Sequence, residues 1–267
     1  MRSHLRSGQG FVAGSLIGTL CGLIGLGGAE FRLPVLVGLF RLGTLEAVIL
    51  NKAMSLVVVA AALLFRLRAI PLDALAGHTS IVLNLLAGSL VGAWWAAGHA
   101  ITMPRKMLNR IIMILLAVLS LVMLSEAWFG LHGDTAPLFA NGAVQLVVGL
   151  VAGFGIGIVA ALLGVAGGEL LIPTIVLLYG ADIKLAGSLS LVVSLPTMIV
   201  GFARYTRSDS FAVLRQESAL LRWMAIGSIL GAAVGGLLFG LVPTNWLMTL
   251  LGVVLLISAI KTFQHAH

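Results

Sequence analysis

A succession of long apolar runs constrains this chain more than any other feature of its sequence. Between residues 11 and 262, stretches of roughly 17 to 25 residues recur, each long enough to cross a hydrocarbon core of about 30 Å as a helix. Of the 267 residues, 60% are hydrophobic and only 9% are charged, and the mean hydropathy is +1.14. The sequence therefore predicts an all-α integral membrane protein.

The chain also contains an internal repeat. Gly25 matches Gly164, 139 residues further along (164 − 25), and the same offset relates many later positions without a gap. The matched landmarks are Gly25, Gly28, Glu30 and Pro34 with Gly164, Gly167, Glu169 and Pro173, and GSLVGA at 88–93 with GSILGA at 227–232. We interpret the two halves as copies of one structural unit.

Each half reads as two short apolar segments around a glycine break, followed by three longer spans. The first repeat, 1–125, holds a hairpin at 11–41 and spans at 46–65, 78–98 and 107–125. A turn-rich linker occupies 126–142, and the second repeat, 143–267, holds a hairpin at 143–180 and spans at 186–203, 219–239 and 246–262. The piece 30–41 would reach only about 18 Å as a helix, so we expect a broken, re-entrant hairpin in each half, with a pair of short crossings as the alternative.

The distribution of positive charge predicts that the two repeats are inverted. If both hairpins return to their starting side, three basic residues fall on the far side, namely Arg66, Arg68 and Lys184. The other basic residues outside segment interiors fall on the N-terminal side: Arg2, Arg6, Arg41, Arg105, Lys106, Arg110, Arg204, Arg207, Arg215, Arg222 and Lys261. This bias predicts a multi-pass protein of the cell membrane with both termini in the cytoplasm.

Inverted repeats with discontinuous helices are the architecture of secondary transporters, in which the broken segments form the substrate site. Two mirror-related packings of such a pair would give alternating access. A passive anion channel or uniporter could use the same helix ends, and it remains the alternative.

Two glutamates lie in apolar sequence beside the glycine breaks. A carboxylate inside the membrane is costly and marks a functional site by default, so Glu30 and Glu169 are candidates for proton coupling. Each could equally cap the N-terminus of a half-helix by accepting backbone N–H bonds. The two roles are compatible.

The glycine breaks themselves are the candidate anion site. Helix N-termini that start at the breaks would point free N–H groups at an anion, and we expect substrate contacts at Gly27, Gly28, Ala29, Gly167 and Gly168. The helix-breaking positions are predicted to be Gly25, Pro34, Gly164 and Pro173. Glycines of membrane helices also serve as packing contacts, which is the alternative reading.

Polar side chains near the breaks complete the predicted substrate site. Arg32 could pair with Glu30, bind the anion or extend to the interface. The following span carries further polar residues in both halves, and we include Asn51, Lys52, Ser190 and Ser194. The matched polar residues of this span, Asn51 with Ser190 and Ser55 with Ser194, could instead hydrogen-bond neighbouring helices.

Several classes of function are not expected. The chain has one cysteine, and its histidines and acids show no metal-binding spacing. We find no nucleophile with a paired base, so we expect neither a metal, a cofactor nor enzymatic activity. The expected partners are the lipid bilayer, a small anion and protons, and no basic run suggests nucleic acid.

The paired motifs GLGGAEFRLP and GVAGGELLIP, followed by GSLVGA and GSILGA, resemble the sulfite exporter TauE/SafE family from about residue 11 to 260. The resemblance implies a multi-pass permease for small sulfur-containing anions such as sulfite, thiosulfate, sulfoacetate or other organosulfonates. Its departures are Ala29 and Ala166, where a fuller glycine run is common in the family.

Overall fold

The computed structural model of the protein describes residues 2–22, 28–69, 77–129, 137–139, 141–237 and 244–264. Within these ranges the secondary structure is entirely helical, with a short 3₁₀ helix at Asp209–Ala212 and eleven α-helices. The α-helices are α1 (Arg2–Gly22), α2 (Ala29–Gly38), α3 (Thr44–Ala69), α4 (Thr79–Thr102), α5 (Arg105–Phe129), α6 (Gly142–Leu163), α7 (Gly168–Tyr179), α8 (Ile183–Tyr205), α9 (Val213–Gln216), α10 (Ser218–Leu237) and α11 (Thr244–Gln264).

Five of the described helices contain stretches long and apolar enough to cross a membrane. These stretches are Thr79–Thr102, Arg105–Ser125, Gly142–Leu163, Leu185–Tyr205 and Ser218–Gly235. The all-α, multi-pass membrane protein predicted from the sequence is thereby confirmed.

The first arm of the first predicted hairpin is longer than the sequence suggests. We expect apolar pieces at 11–25 and 143–164; α1 has 21 residues and begins at Arg2, whereas α6 has 22 residues and lies within one residue of its predicted bounds. At about 1.5 Å per residue, each is long enough to cross a bilayer. In α1 the helix extends through the polar residues before the apolar run, where Arg6 is held by Glu217 and by the Phe40 carbonyl. The second arms, α2 and α7, are short as expected, with 10 and 12 residues.

Contacts between helix ends bring the two ends of each hairpin together. Arg6 near the start of α1 donates from Nη2 to the carbonyl of Phe40, just after α2, at 3.0 Å. In the second hairpin, Asn84 of α4 donates to the Tyr179 hydroxyl at the end of α7 (2.7 Å) and to the Gln145 carbonyl near the start of α6 (3.4 Å). Both hairpins therefore return towards the end at which they begin.

Glycines allow α1 and α10 to cross in close contact. A Cβ added at Gly14 or Gly18 of α1 would lie 2.3 Å from the Met224 carbonyl oxygen or 2.4 Å from that of Ser228. The facing glycines of α10, Gly227 and Gly231, approach the α1 backbone equally closely. Small residues let membrane helices approach to backbone contact, which strengthens their packing.

The same crossing occurs between α4 and α6. A Cβ on Gly92 would lie 2.1 Å from the carbonyl oxygen of Phe154, and one on Gly157 would lie 2.2 Å from that of Ser89. Gly88 and Gly153 complete this contact. The motifs GSLVGA and GSILGA thus provide the glycine faces of two helix crossings, each of which joins a helix from the first half of the chain to one from the second.

The interior that positions the candidate site is formed by α3 and α8. These two helices pack against each other, α2 packs on α3, and α7 packs on α8. Polar side chains of α3 and α8 are buried, among them Asn51, Lys52, Ser55, Ser190 and Ser194. Helices α5 and α11 pack as a pair, and α11 also contacts α2.

Candidate functional site

Left-handed glycines set the starts of the two half-helices. Gly28 precedes α2 with φ 66°, and Gly167 precedes α7 with φ 78°. Gly164 ends α6 with φ 68°. A side chain would strain this backbone, which explains glycine at these three breaks. The predicted positions Gly25 and Gly27 lie outside the described residues.

The two prolines lie inside the half-helices and do not open them. Pro34 is within α2 and Pro173 is within α7, although the sequence places them among the helix-breaking residues. Proline has no N–H, so the helical partner four residues earlier loses its usual donor. That partner is the backbone carbonyl of Glu30 in α2 and of Glu169 in α7.

The carboxyl groups of Glu30 and Glu169 meet where α2 and α7 begin. The two side chains interact electrostatically and lie within hydrogen-bonding reach of each other. Glu30 is completely buried. Its two carboxylate oxygens, and Oε2 of Glu169, have no hydrogen-bond donor in the described part of the chain. Each carboxyl also lies beside the backbone N–H of its own residue, at the open end of its helix.

Arg32 is the cation that faces this carboxyl pair. Its side chain is buried, with 1% exposed, so it does not extend to the membrane interface. The guanidinium attracts both glutamates and donates from Nε to Asn51 Oδ1 at 3.2 Å and from Nη2 to Ser55 Oγ at 2.8 Å. These bonds fix the planar group against α3, within the field of both acids.

Asn51 connects the two hairpins. Its Nδ2 donates to the carbonyl of Ala29 in α2 (2.9 Å) and to that of Leu163 at the end of α6 (3.0 Å). Its Oδ1 accepts from Arg32. The amide thus joins the start of one half-helix, the end of the opposite arm and the buried arginine, so its side chain already has protein partners.

Lys52 binds the end of α6. Its Nζ donates to the Ala160 carbonyl at 2.9 Å, and the side chain is completely buried. Tyr205 of α8 donates its hydroxyl to the next carbonyl, of Ala161, at 3.0 Å. Carbonyls in the last turn of a helix lack helical partners and carry partial negative charge, so both donors stabilise this helix end.

Sequence reasoning missed Tyr205. The available signal was weak: it is one of two tyrosines in the chain and ends an apolar span beside a charged residue. A buried tyrosine hydroxyl usually finds a hydrogen-bond partner.

The structure assembles part of the predicted site and leaves other residues at its edge. Glu30, Glu169, Arg32 and Asn51 come together, with Ser55 as an additional partner of the arginine. Other predicted residues lie beside the breaks or on α8: Ala29, Gly28, Gly167 and Gly168, with Ser190 and Ser194. The Ser190 hydroxyl donates to the Gly187 carbonyl in its own helix, at 2.9 Å. Among the residues that the structure describes, no group of histidine, cysteine and acidic side chains could hold a metal ion.

Comparison with known proteins gives a family but no individual relative. No curated protein and no solved structure matches the chain. The family model described as "Sulfite exporter TauE/SafE" matches residues 148–266, which span most of α6 and continue through α11. Proteins of this family are transporters and not enzymes, and the match implies transport of sulfur-containing anions. The resemblance drawn from the motifs is thereby confirmed over residues 148–266, where the chain matches the model of the sulfite exporter TauE/SafE family.

Proposed function

We propose that this protein is a secondary transporter that carries a small sulfur-containing anion across the cell membrane by alternating access. The observation that carries the proposal is a buried arginine facing two carboxyl groups where two half-helices begin. Charged groups inside a membrane protein are costly and concentrate on ion and substrate pathways. The family match supports a sulfur-containing anion as the substrate.

The substrate site lies between the beginnings of α2 and α7. The backbone N–H groups after Gly28 and Gly167 and the Arg32 guanidinium provide the positive field for an oxyanion. Asn51 holds Arg32 in place and joins the two hairpins. Glu30 and Glu169 accept the coupling protons, because two facing carboxylates repel each other and an incoming anion repels both.

The two halves act as inverted repeats, 1–125 and 143–267, joined by 126–142. Three features support this arrangement. Corresponding helices begin 139 residues apart, as with α3 at Thr44 and α8 at Ile183 (183 − 139 = 44). Each glycine crossing joins a helix of one half to a helix of the other, since α1 meets α10 and α4 meets α6. Both hairpins return towards their starting end.

The same arrangement supports cytoplasmic termini. An odd number of crossings in each half places the start of α1 and the end of α11 on one side of the membrane. The positively charged residues concentrate on that side, as expected for the cytoplasmic face.

Flux measurements in liposomes test the proposed function. The purified protein is reconstituted, and uptake of sulfite, thiosulfate, sulfoacetate, sulfate and chloride is measured with unlabelled anion on the opposite side. Saturable uptake of one or more sulfur anions, accelerated by exchange, is the expected result. A large unitary conductance would instead identify a passive anion channel.

Arg32 provides the matched variant for this assay. Arg32→Gln removes the charge that faces the carboxyl pair, so we expect uptake to fall at least tenfold. Asp209→Asn, which neutralises an acid on the short 3₁₀ helix, is the control and should leave uptake unchanged. Equal uptake by Arg32→Gln and Asp209→Asn would place the anion elsewhere.

A further inference from the structure

The charges at the meeting point of α2 and α7 do not cancel when every group is ionised. Glu30 and Glu169 bring two negative charges, and Arg32 brings one positive charge that attracts both. Glu30 and Arg32 are both buried. One carboxylate therefore lacks a compensating charge, and an uncompensated buried charge is strongly unfavourable.

Other charged side chains described on the packed elements are held elsewhere. On α3, Lys52 donates to the Ala160 carbonyl and Glu46 accepts from the N–H of Gly43. On α1, Arg6 pairs with Glu217, and on α8 Arg204 lies over the Trp94 ring. Helices α6 and α7 contribute no charged residue other than Glu169.

A single proton balances the cluster of Glu30, Glu169 and Arg32. With one proton between the two carboxyl groups, the protonated acid can donate to its partner and the net charge is zero. The three carboxylate oxygens without a donor are the atoms available for this proton.

From this charge balance we propose that the cluster takes up one additional proton with each monovalent anion, so that the pair crosses the membrane without net charge. The empty cluster holds the arginine cation, one carboxylate and one carboxylic acid. The loaded cluster holds the arginine cation, two carboxylic acids and the anion, and it is again neutral. This inference rests on the proposed function and defines its substrate as a monovalent sulfur oxyanion, such as hydrogensulfite or an alkylsulfonate. A divalent anion would leave the loaded cluster with a negative charge.

Substitution of the glutamates makes the charge count testable. Glutamine imitates a protonated carboxylic acid. In Glu30→Gln or Glu169→Gln, the glutamine therefore takes the place of the acid that is already protonated in the empty cluster, and the remaining carboxylate accepts the proton that accompanies the anion. Each single variant should therefore keep one proton per anion. The double variant has no carboxylate, and its anion uptake should follow the membrane potential and ignore the pH gradient.

The experiment uses methanesulfonate, which is monovalent, and thiosulfate, which is divalent, as probes in proteoliposomes. The membrane potential is clamped with potassium and valinomycin while the pH gradient is varied. The wild type should accumulate methanesulfonate about tenfold for each unit of pH gradient, at every clamped potential. Thiosulfate should enter more slowly, because its loaded cluster keeps a negative charge, and Asp209→Asn should behave as the wild type.

The outcomes separate this inference from the proposed function. Methanesulfonate uptake that ignores the pH gradient, or accumulation that changes with potential in the wild type, would overturn the inference and leave transport intact. Loss of coupling in either single variant, or retention in the double variant, would also overturn it. If the double variant does not fold, the wild-type accumulation ratios still decide. Absence of uptake for every sulfur anion would refute the proposed function itself.

Discussion

A methyl group added at the crossing of α4 and α6 should separate the two helices. In Gly157→Ala the new Cβ would lie 2.2 Å from the carbonyl oxygen of Ser89, and 2.8 Å and 2.9 Å from its Cα and C atoms. Ordinary contact begins near 3.5 Å, so the backbones must part by roughly 1 Å. The neighbouring atoms are backbone, which cannot rotate away as a side chain can.

The energetic effect has two opposing parts. Overpacking of this kind costs about 1–3 kcal/mol, whereas alanine stabilises a helix interior by about 0.5–1 kcal/mol relative to glycine. We expect a net loss of about 1–2 kcal/mol in the free energy of unfolding. For a chain of this size that loss lowers Tm by roughly 2–8 °C.

Gly155 offers a matched control on the same helix. A Cβ at Gly155 meets nothing within 4 Å, so Gly155→Ala gains helix propensity without a clash. Its Tm should be unchanged or slightly higher. Gly18→Ala, whose Cβ would lie 2.4 Å from the Ser228 carbonyl oxygen, should repeat the loss at the α1 and α10 crossing.

Thermal unfolding of the purified variants in one detergent, followed by circular dichroism, measures these shifts. The contrast between two alanines on one helix removes effects of detergent and of helix propensity. Equal melting of Gly157→Ala and Gly155→Ala would refute the close crossing of α4 and α6.

Three other substitutions test the polar contacts around the site. Asn51→Asp keeps the shape of the side chain but loses both N–H donors. We expect the free energy of unfolding, measured by denaturation, to fall by at least about 2 kcal/mol. A smaller loss would contradict the bridging role of Asn51. Tyr205→Phe should lower stability by about 1 kcal/mol with the anion KM unchanged, as thermal melting and flux would show. Lys52→Met should leave the KM of the anion within about twofold in flux assays, because Nζ binds a helix end; a large rise in KM would make Lys52 a substrate ligand.

The meeting of Glu30 and Glu169 could be anticipated from the sequence, because the repeat places each acid at the same position of a glycine break. If two copies of a broken hairpin enter the same interior, equivalent residues face each other. The left-handed glycines at 28 and 167 follow from the same register. Each of these glycines lies two residues before a glutamate in an apolar run, and this pattern can be recognised in the sequence itself.

The partners of Asn51, Lys52 and Tyr205 could not be anticipated. All three donate to carbonyls at the end of α6, and a backbone carbonyl leaves no mark in the sequence. Arg32 illustrates the same limit, since an arginine beside an apolar segment most often extends to the interface. Only the position of α3 shows that it is buried against Asn51 and Ser55.

The glycine crossings were visible only as repeated motifs. Small residues of membrane helices pack against many kinds of neighbour, and the sequence does not show which helix faces which. Only the structure therefore shows that each crossing joins a helix of the first half to a helix of the second. The first arm of the first hairpin was underestimated for a related reason, since α1 continues through polar residues that make contacts with distant segments.

Because each glycine crossing joins the two halves of the chain, the crossings also set the order in which the helices pack during biosynthesis. The glycine face of α1 is covered by α10, which leaves the ribosome only after most of the chain has been made. During that interval α1 lies in the bilayer with its glycine face covered by lipid or by the insertion machinery. Helices α4 and α6 follow each other much sooner and can pair early. Helix α1 is thus synthesised long before the helix that covers it. Substitutions in α10 are therefore a source of misassembly that begins at α1.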